Sequence, residues 1–166
     1  MVAHLVVPLE VSTPRFVLAM LVSRGNFDRA NVRVTREQER RPFGELLEVL
    51  RQKADSRFTP PGSGPEAPLT DLLVHGLDIR LPLGLARELP EDRLRTSLGF
   101  VAAGGLGTRR RVSGLRFEAT DLDWAAGSGP VVRGGAEALL LTVTGRTTAL
   151  DRLSGDGVPT LRSRLT

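Results

Sequence analysis

Cysteine is absent from this 166-residue chain, which excludes disulfides, thiolate metal ligands and a cysteine nucleophile. Chemistry here rests on nitrogen and oxygen groups, or on a thiol brought in from outside. Tyrosine is absent too, and aromatic residues make up only 4%, too few to form stacking platforms along a nucleic-acid groove. Lysine occurs once, at Lys53, so arginine carries nearly all of the net charge of +4. The arginines are scattered among acidic residues, a pattern that does not mark a nucleic-acid partner. Their one tight cluster, Arg109, Arg110 and Arg111 after a glycine-rich stretch, reads as a solvated loop. No apolar run reaches the roughly 20 residues that span a bilayer, and the first residues lack the layout of a signal peptide. The expectation is a cytoplasmic protein that engages neither membrane nor nucleic acid.

Histidine is the other scarce residue. There are two, His4 in Val-Ala-His-Leu-Val and His75 in Leu-Leu-Val-His-Gly-Leu-Asp-Ile, each inside an apolar run. Asp71 lies one helical turn before His75, so on a helix the carboxylate and the imidazole share a face. Read from spacing alone, this pair suits a partly buried histidine bonded to its own helix as well as it suits a ligand pair. With His4 added from another helix, two imidazoles and one carboxylate hold a divalent transition metal and leave positions open for water or substrate. Asp78 continues the polar stripe of Asp71 and His75. It is either a surface residue at a helix end or a partner that orients a ligand imidazole.

The rest of the chain predicts a mainly α protein with a small α+β extension. Val2 to Leu9 is apolar, and Pro8 and Pro14 limit any regular helix there. Phe16, Val17, Met20 and Leu21 have helical spacing, closed by Gly25. Phe27 to Arg41 reads as an exposed amphipathic helix with Phe27, Ala30, Val34 and Gln38 on one stripe. Pro42 opens the next, in which Phe43, Leu46, Leu47 and Leu50 are the buried face. Four prolines and two glycines between Ser56 and Pro68 predict a long surface loop. Leu69 to Ile79 is then a helix, with Leu69, Leu72, Leu73 and Gly76 as its packing stripe and Asp71, His75 and Asp78 on another. Pro90 to Phe100 is a further helix with an acidic start. Beyond the glycines the period changes to two. Leu115, Phe117 and Ala119 alternate with polar residues as a half-buried strand, the stretch from Gly127 to Pro130 is a turn, and Val131 to Arg133 is the partner strand. Trp124 is expected to plug the junction between strands and helices. Ala136 to Val143 favours helix, and a short helix follows the Asp156-Gly157 turn. The organisation expected is a helical bundle over residues 1–103 with the extension of residues 104–166 packed on it as one compact unit.

Four stretches resemble the mycothiol-dependent maleylpyruvate isomerase family, a branch of the DinB-like metal-binding helix bundles. They are Val-Ala-His-Leu at His4, Leu-Leu-Val-His-Gly-Leu-Asp-Ile around His75, the turn region from Trp124 to Gly134, and Leu-Leu-Leu-Thr-Val-Thr-Gly-Arg ending at Arg146. The resemblance implies a four-helix bundle binding one divalent metal, usually zinc, through His4, Asp71 and His75. It also implies that the metal activates a low-molecular-weight thiol, mycothiol, for isomerisation of, or S-transfer to, a small electrophile. A cysteine-free chain suits a cofactor that carries the sulfur, and the arginine bias is compatible with a high-GC actinobacterial source, where mycothiol is made. No residue is assigned as a catalytic acid or base. Arg146 either lies at the surface or faces the site and holds an anionic group of thiol or substrate. A non-catalytic metal-binding module and a metal-dependent hydrolase needing no thiol are the competing functions.

The chain departs from the family in two places. The isomerases usually carry glutamate where this chain has Asp71, and the shorter side chain brings the metal nearer the helix or binds it less tightly. Relatives also have a whole helix before their counterpart of His4, so either the start of the sequence is misassigned or the first helix of the bundle is missing. An apolar groove would then need a second subunit, and the expectation is a homodimer or poor solubility.

Overall fold

The structure is a computed structural model that describes residues 1–59, 64–85 and 87–165. It is mainly helical, with a small three-stranded sheet towards the C-terminus. Two compact units divide at Pro65, residues 1–65 and 66–166. The helix that carries Asp71 and His75 therefore shares its core with the elements that the sequence reading set apart as an extension.

The first unit holds α1 (Val2–Glu10), α2 (Thr13–Val22), α3 (Phe27–Gln38) and α4 (Phe43–Gln52). Helix α1 runs through Pro8 rather than stopping at it; a proline this near the end removes only one intrahelical donor, the one that would meet the His4 carbonyl. One side of α1, Ala3 and Val6, packs with Leu46 and Val49 of α4. Val7 packs with Ala19 of α2 and with Ala30 and Val34 of α3. Asn26 caps α3, its side chain accepting from the Arg29 amide at 2.9 Å. The stripe expected on α3 is buried at Ala30, Val34 and Gln38, whereas Phe27 is exposed and its ring lies tilted against that of Phe16, with centroids 5.6 Å apart. Phe43 is exposed as well, and Val49, outside the expected stripe, is buried with Leu46. Both phenylalanines open their helices, where the chain has not yet turned onto the core. On α2 only Ala19 is buried, while Val17, Leu18, Leu21 and Val22 form an exposed apolar stripe.

The loop expected over 56–68 ends earlier, because α5 (Glu66–Arg80) already includes Pro68 in its first turn, where a missing amide proton costs nothing. The part of that loop at 60–63 lies outside the described residues. The packing stripe of α5 differs from the expected one. Ala67, Thr70, Val74 and Leu77 are buried, and Leu72 is 53% exposed. The polar residues Asp71, His75 and Asp78 take up one flank of the helix, so the core seam rotates to the adjacent one. Then follow α6 (Glu91–Ala102), a 3-10 turn at Gly105–Gly107, and α7 (Arg109–Val112), the helical turn that the three consecutive arginines form instead of a loop.

Strand β1 (Arg116–Ala119) buries Phe117, with Leu115 buried just before it, as its alternation predicts. Its neighbours are β2 (Ala125–Gly127), antiparallel, and β3 (Val131–Gly134), parallel, in the order β2-β1-β3. The predicted partner strand is thus present, but parallel to β1, and β2 was not foreseen. Residues 128–130 carry the chain from β2 across the start of β1 to β3, within backbone contact. A Cβ on Gly129 (φ +117) would stand 2.4 Å from the Gly114 carbonyl oxygen, and one on Gly127 (φ +80) 2.2 Å from that of Leu115. Gly129→Ala is expected to cost more than about 1 kcal/mol in urea unfolding. Gly25→Ala, also at positive φ (+76) but facing open space, is expected to cost less. Glu118 accepts from Arg116 and from its cross-strand partner Arg133, and these two hold its carboxyl below the usual range.

Helix α8 (Ala136–Val143) is buried at every residue but Glu137. A 3-10 segment (Thr147–Arg152) and α9 (Val158–Ser163) complete the unit. Its core joins Val74 and Leu77 of α5, Leu98 and Val101 of α6, Leu115 and Phe117, Val132 of β3, and the leucines of α8. Trp124 packs against this core half-buried.

Candidate metal centre

Helix α5 sets the site. Glu66 in its first turn and Arg80 in its last complement the helix dipole, and the buried stripe ending in Val74 and Leu77 fixes its rotation about its axis. Asp71, His75 and Asp78, at i, i+4 and i+7, then fall within about 60° of arc beside that stripe. They are partly screened from water: the side chains are 33%, 18% and 17% exposed, respectively. His75 lies between two carboxylates of its own helix. Its Nε2 is 3.5 Å from Asp71 Oδ1, and its Nδ1 is 3.3 Å from Asp78 Oδ2.

Arg146 reaches Asp78 from the far end of the unit, 68 residues on in sequence. Its Nη2 donates to Asp78 Oδ2 at 2.7 Å, and its Nε lies 3.1 Å from Oδ1 and 3.3 Å from Oδ2, a forked guanidinium–carboxylate pair. Nη1 donates to the Thr144 carbonyl at 3.0 Å. The turn after α8 delivers this arginine. The Gly145 amide donates to Thr142 O and the Arg146 amide to Leu141 O, each at 2.9 Å, with Gly145 at φ +105. That is the double-bonded helix stop in which a left-handed glycine closes the carbonyl end and the next residue swings back beside the helix.

The structure therefore brings together Asp71, His75, Asp78 and Arg146 within the second unit. His4 lies on α1 of the first unit, partly buried. The Arg146 side chain, 29% exposed, is engaged by Asp78, a partner that neither reading of it from the sequence named. The Asp78–Arg146 pair escaped sequence reasoning. Its signal was the Gly-Arg step after a leucine run, which predicts a helix stop and hence an arginine turned back onto a neighbouring element. The chain matches no family model, no curated protein and no solved structure.

Proposed function

We propose that the chain is a divalent-metal protein of the DinB-like bundle type, similar to the mycothiol-dependent maleylpyruvate isomerases. In this reading His4, Asp71 and His75 hold one metal ion, zinc by preference. The observation that carries it is His75 set between Asp71 and Asp78 on one face of α5, with an arginine fastening the second carboxylate. A carboxylate and two imidazoles make the oxygen–nitrogen donor set of a transition-metal site with open positions. Asp78 stands behind the imidazole in the role that outer carboxylates take at such sites, fixing the ring of a ligand histidine.

A bound divalent cation lowers the pKa of a thiol placed on it and so supplies a nucleophile near neutral pH. The chain has no cysteine, so the sulfur comes from a low-molecular-weight thiol, mycothiol in this reading, and the co-substrate is a small electrophile that is isomerised or takes up the sulfur. The protein's own groups bind and orient. A cytoplasmic location and a homodimer with the exposed stripe of α2 at its interface belong to the same proposal.

The test is equilibrium dialysis of zinc, followed by a panel of small electrophiles with and without added thiol. One equivalent of zinc and thiol-dependent loss of an electrophile are expected. Zinc binding without turnover makes the chain a non-catalytic module, thiol-independent hydrolysis makes it a hydrolase, and zinc at trace level removes the proposal.

A further inference from the structure

We infer that the first unit docks on an anionic lipid surface, with an arginine row of α3 on the headgroups and the exposed stripe of α2 in the boundary beneath them. The inference rests on the first unit alone, and the metal reading has no part in it. Arg29, Arg33 and Arg36 stand at i, i+4 and i+7 on one face of α3, and Arg40, in the turn that follows, continues the row. All four are exposed, and among the described residues none of their guanidiniums has a hydrogen-bond or ion-pair partner. They line an open groove of about 680 Å³, with Val32, 51% exposed, in their midst. The carboxylates of the groove do not balance them. Glu37 is taken by Arg15 of α2 at 2.7 Å, which leaves Asp28 against four cations.

The same Arg15–Glu37 bridge joins the row to the apolar stripe. On α3, Glu37 has Arg33 one turn before it and Arg40 one turn after; on α2, Arg15 has Leu18 and Val22 one and two turns on. Charge and hydrocarbon therefore meet along the seam of α2 and α3, where Leu18, Leu21 and Val22 are all more than half exposed. Cations without counter-charges suit an anionic partner, and leucines beside them suit one that offers hydrocarbon at the same surface. A nucleic acid supplies the first and not the second. A second copy supplies the second, but brings its own arginines with it. A bilayer containing acidic lipid supplies both, and long, unpaired arginine side chains adapt to headgroups that have no fixed shape to match. Helix α2 is 10 residues long, about half of what a span needs, so it lies in the plane of the interface rather than across it. The homodimer proposed above covers these leucines in solution, and a bilayer that also neutralises the arginines takes its place.

The test is sedimentation of the chain with vesicles of phosphatidylcholine alone and of phosphatidylcholine with an equal part of phosphatidylglycerol. Binding to the mixed vesicles, absent on the neutral ones and weakening as salt rises, is expected. Arg33→Ala and Arg36→Ala are expected to weaken it about fivefold each, and Leu18→Ser with Leu21→Ser by more than about tenfold. Circular dichroism checks the fold of each variant, and the salt dependence of wild type decides the inference without them. Equal binding to both kinds of vesicle, or to neither, overturns it, as does binding unchanged in both arginine variants. Retention of polyglutamate or RNA by a wild type that ignores the vesicles gives the row to an acidic protein or a nucleic acid instead. A dimer that Leu18→Ser with Leu21→Ser splits, again without vesicle binding, gives the stripe to a second copy, and either result overturns the lipid assignment.

Discussion

His75→Ala is expected to lower zinc affinity by more than the roughly 10- to 100-fold that loss of an outer partner costs, because it removes a donor atom rather than its support. The proposed site has three protein donors and none in reserve, so on that proposal Asp71→Ala is expected to fall in the same class, and His4→Ala with them. Asp71→Glu is the informative contrast. It keeps the carboxylate and adds one methylene of reach, the side chain usual in the family that the proposal names, so binding at least as tight as wild type is expected. Competition against a chromophoric chelator gives the affinities, and far-ultraviolet circular dichroism checks the fold. The folded state is expected to survive each change, since the Asp71 and His75 side chains are 33% and 18% exposed and sit beside the core stripe of α5, outside it. Equal, weak zinc binding by wild type and His75→Ala would sink the proposed site.

The site was legible in the sequence to the extent that it is local. Asp71, His75 and Asp78 are neighbours because a helix repeats every 3.6 residues, and that relation is written in their numbers. The Asp78–Arg146 pair is a tertiary contact, and no period connects residues so far apart. Only the glycine before Arg146 hinted that this side chain turns back. His4 belongs to the same class of problem, since nothing in the spacing of a short apolar helix says which element it serves.

The fold was legible by the same criterion. In α3 the composition is so rich in charge that a single stripe is left to bury, and Ala30, Val34 and Gln38 were read correctly. In α5 nonpolar residues occur on several faces, so the periodicity did not single out one seam, and the leucines at 69 and 72 misled. Strand β1 alternates and was found. Strand β2 is Ala-Ala-Gly, which has no alternation to read, and its place is set by backbone approach at Gly127 rather than by side chains. Parallel pairing of β1 with β3 escaped for a related reason: a connection that crosses over a strand end needs glycines, and a turn between antiparallel strands uses the same residues.

Leu140→Ala is expected to be among the most damaging single changes in the second unit. The side chain is fully buried in α8, among neighbours that are themselves buried, and α8 meets α5, α6 and the sheet within one core. Truncation removes transfer energy and leaves a cavity that elements fixed from several sides cannot close, a loss of about 2–5 kcal/mol. Against the roughly 5–15 kcal/mol that holds a domain folded, this takes away a large share of its stability. Leu72→Ala, on α5 but 53% exposed, is expected to stay within about 0.5 kcal/mol of wild type. Urea unfolding followed by circular dichroism separates the two, with the midpoint moving for Leu140→Ala and the slope unchanged. A small effect at Leu140 would mean that α8 is not the centre of this core. The Gly145 stop at its end would then no longer be held where Arg146 can reach Asp78, so the stability measurement also bears on the geometry of the site.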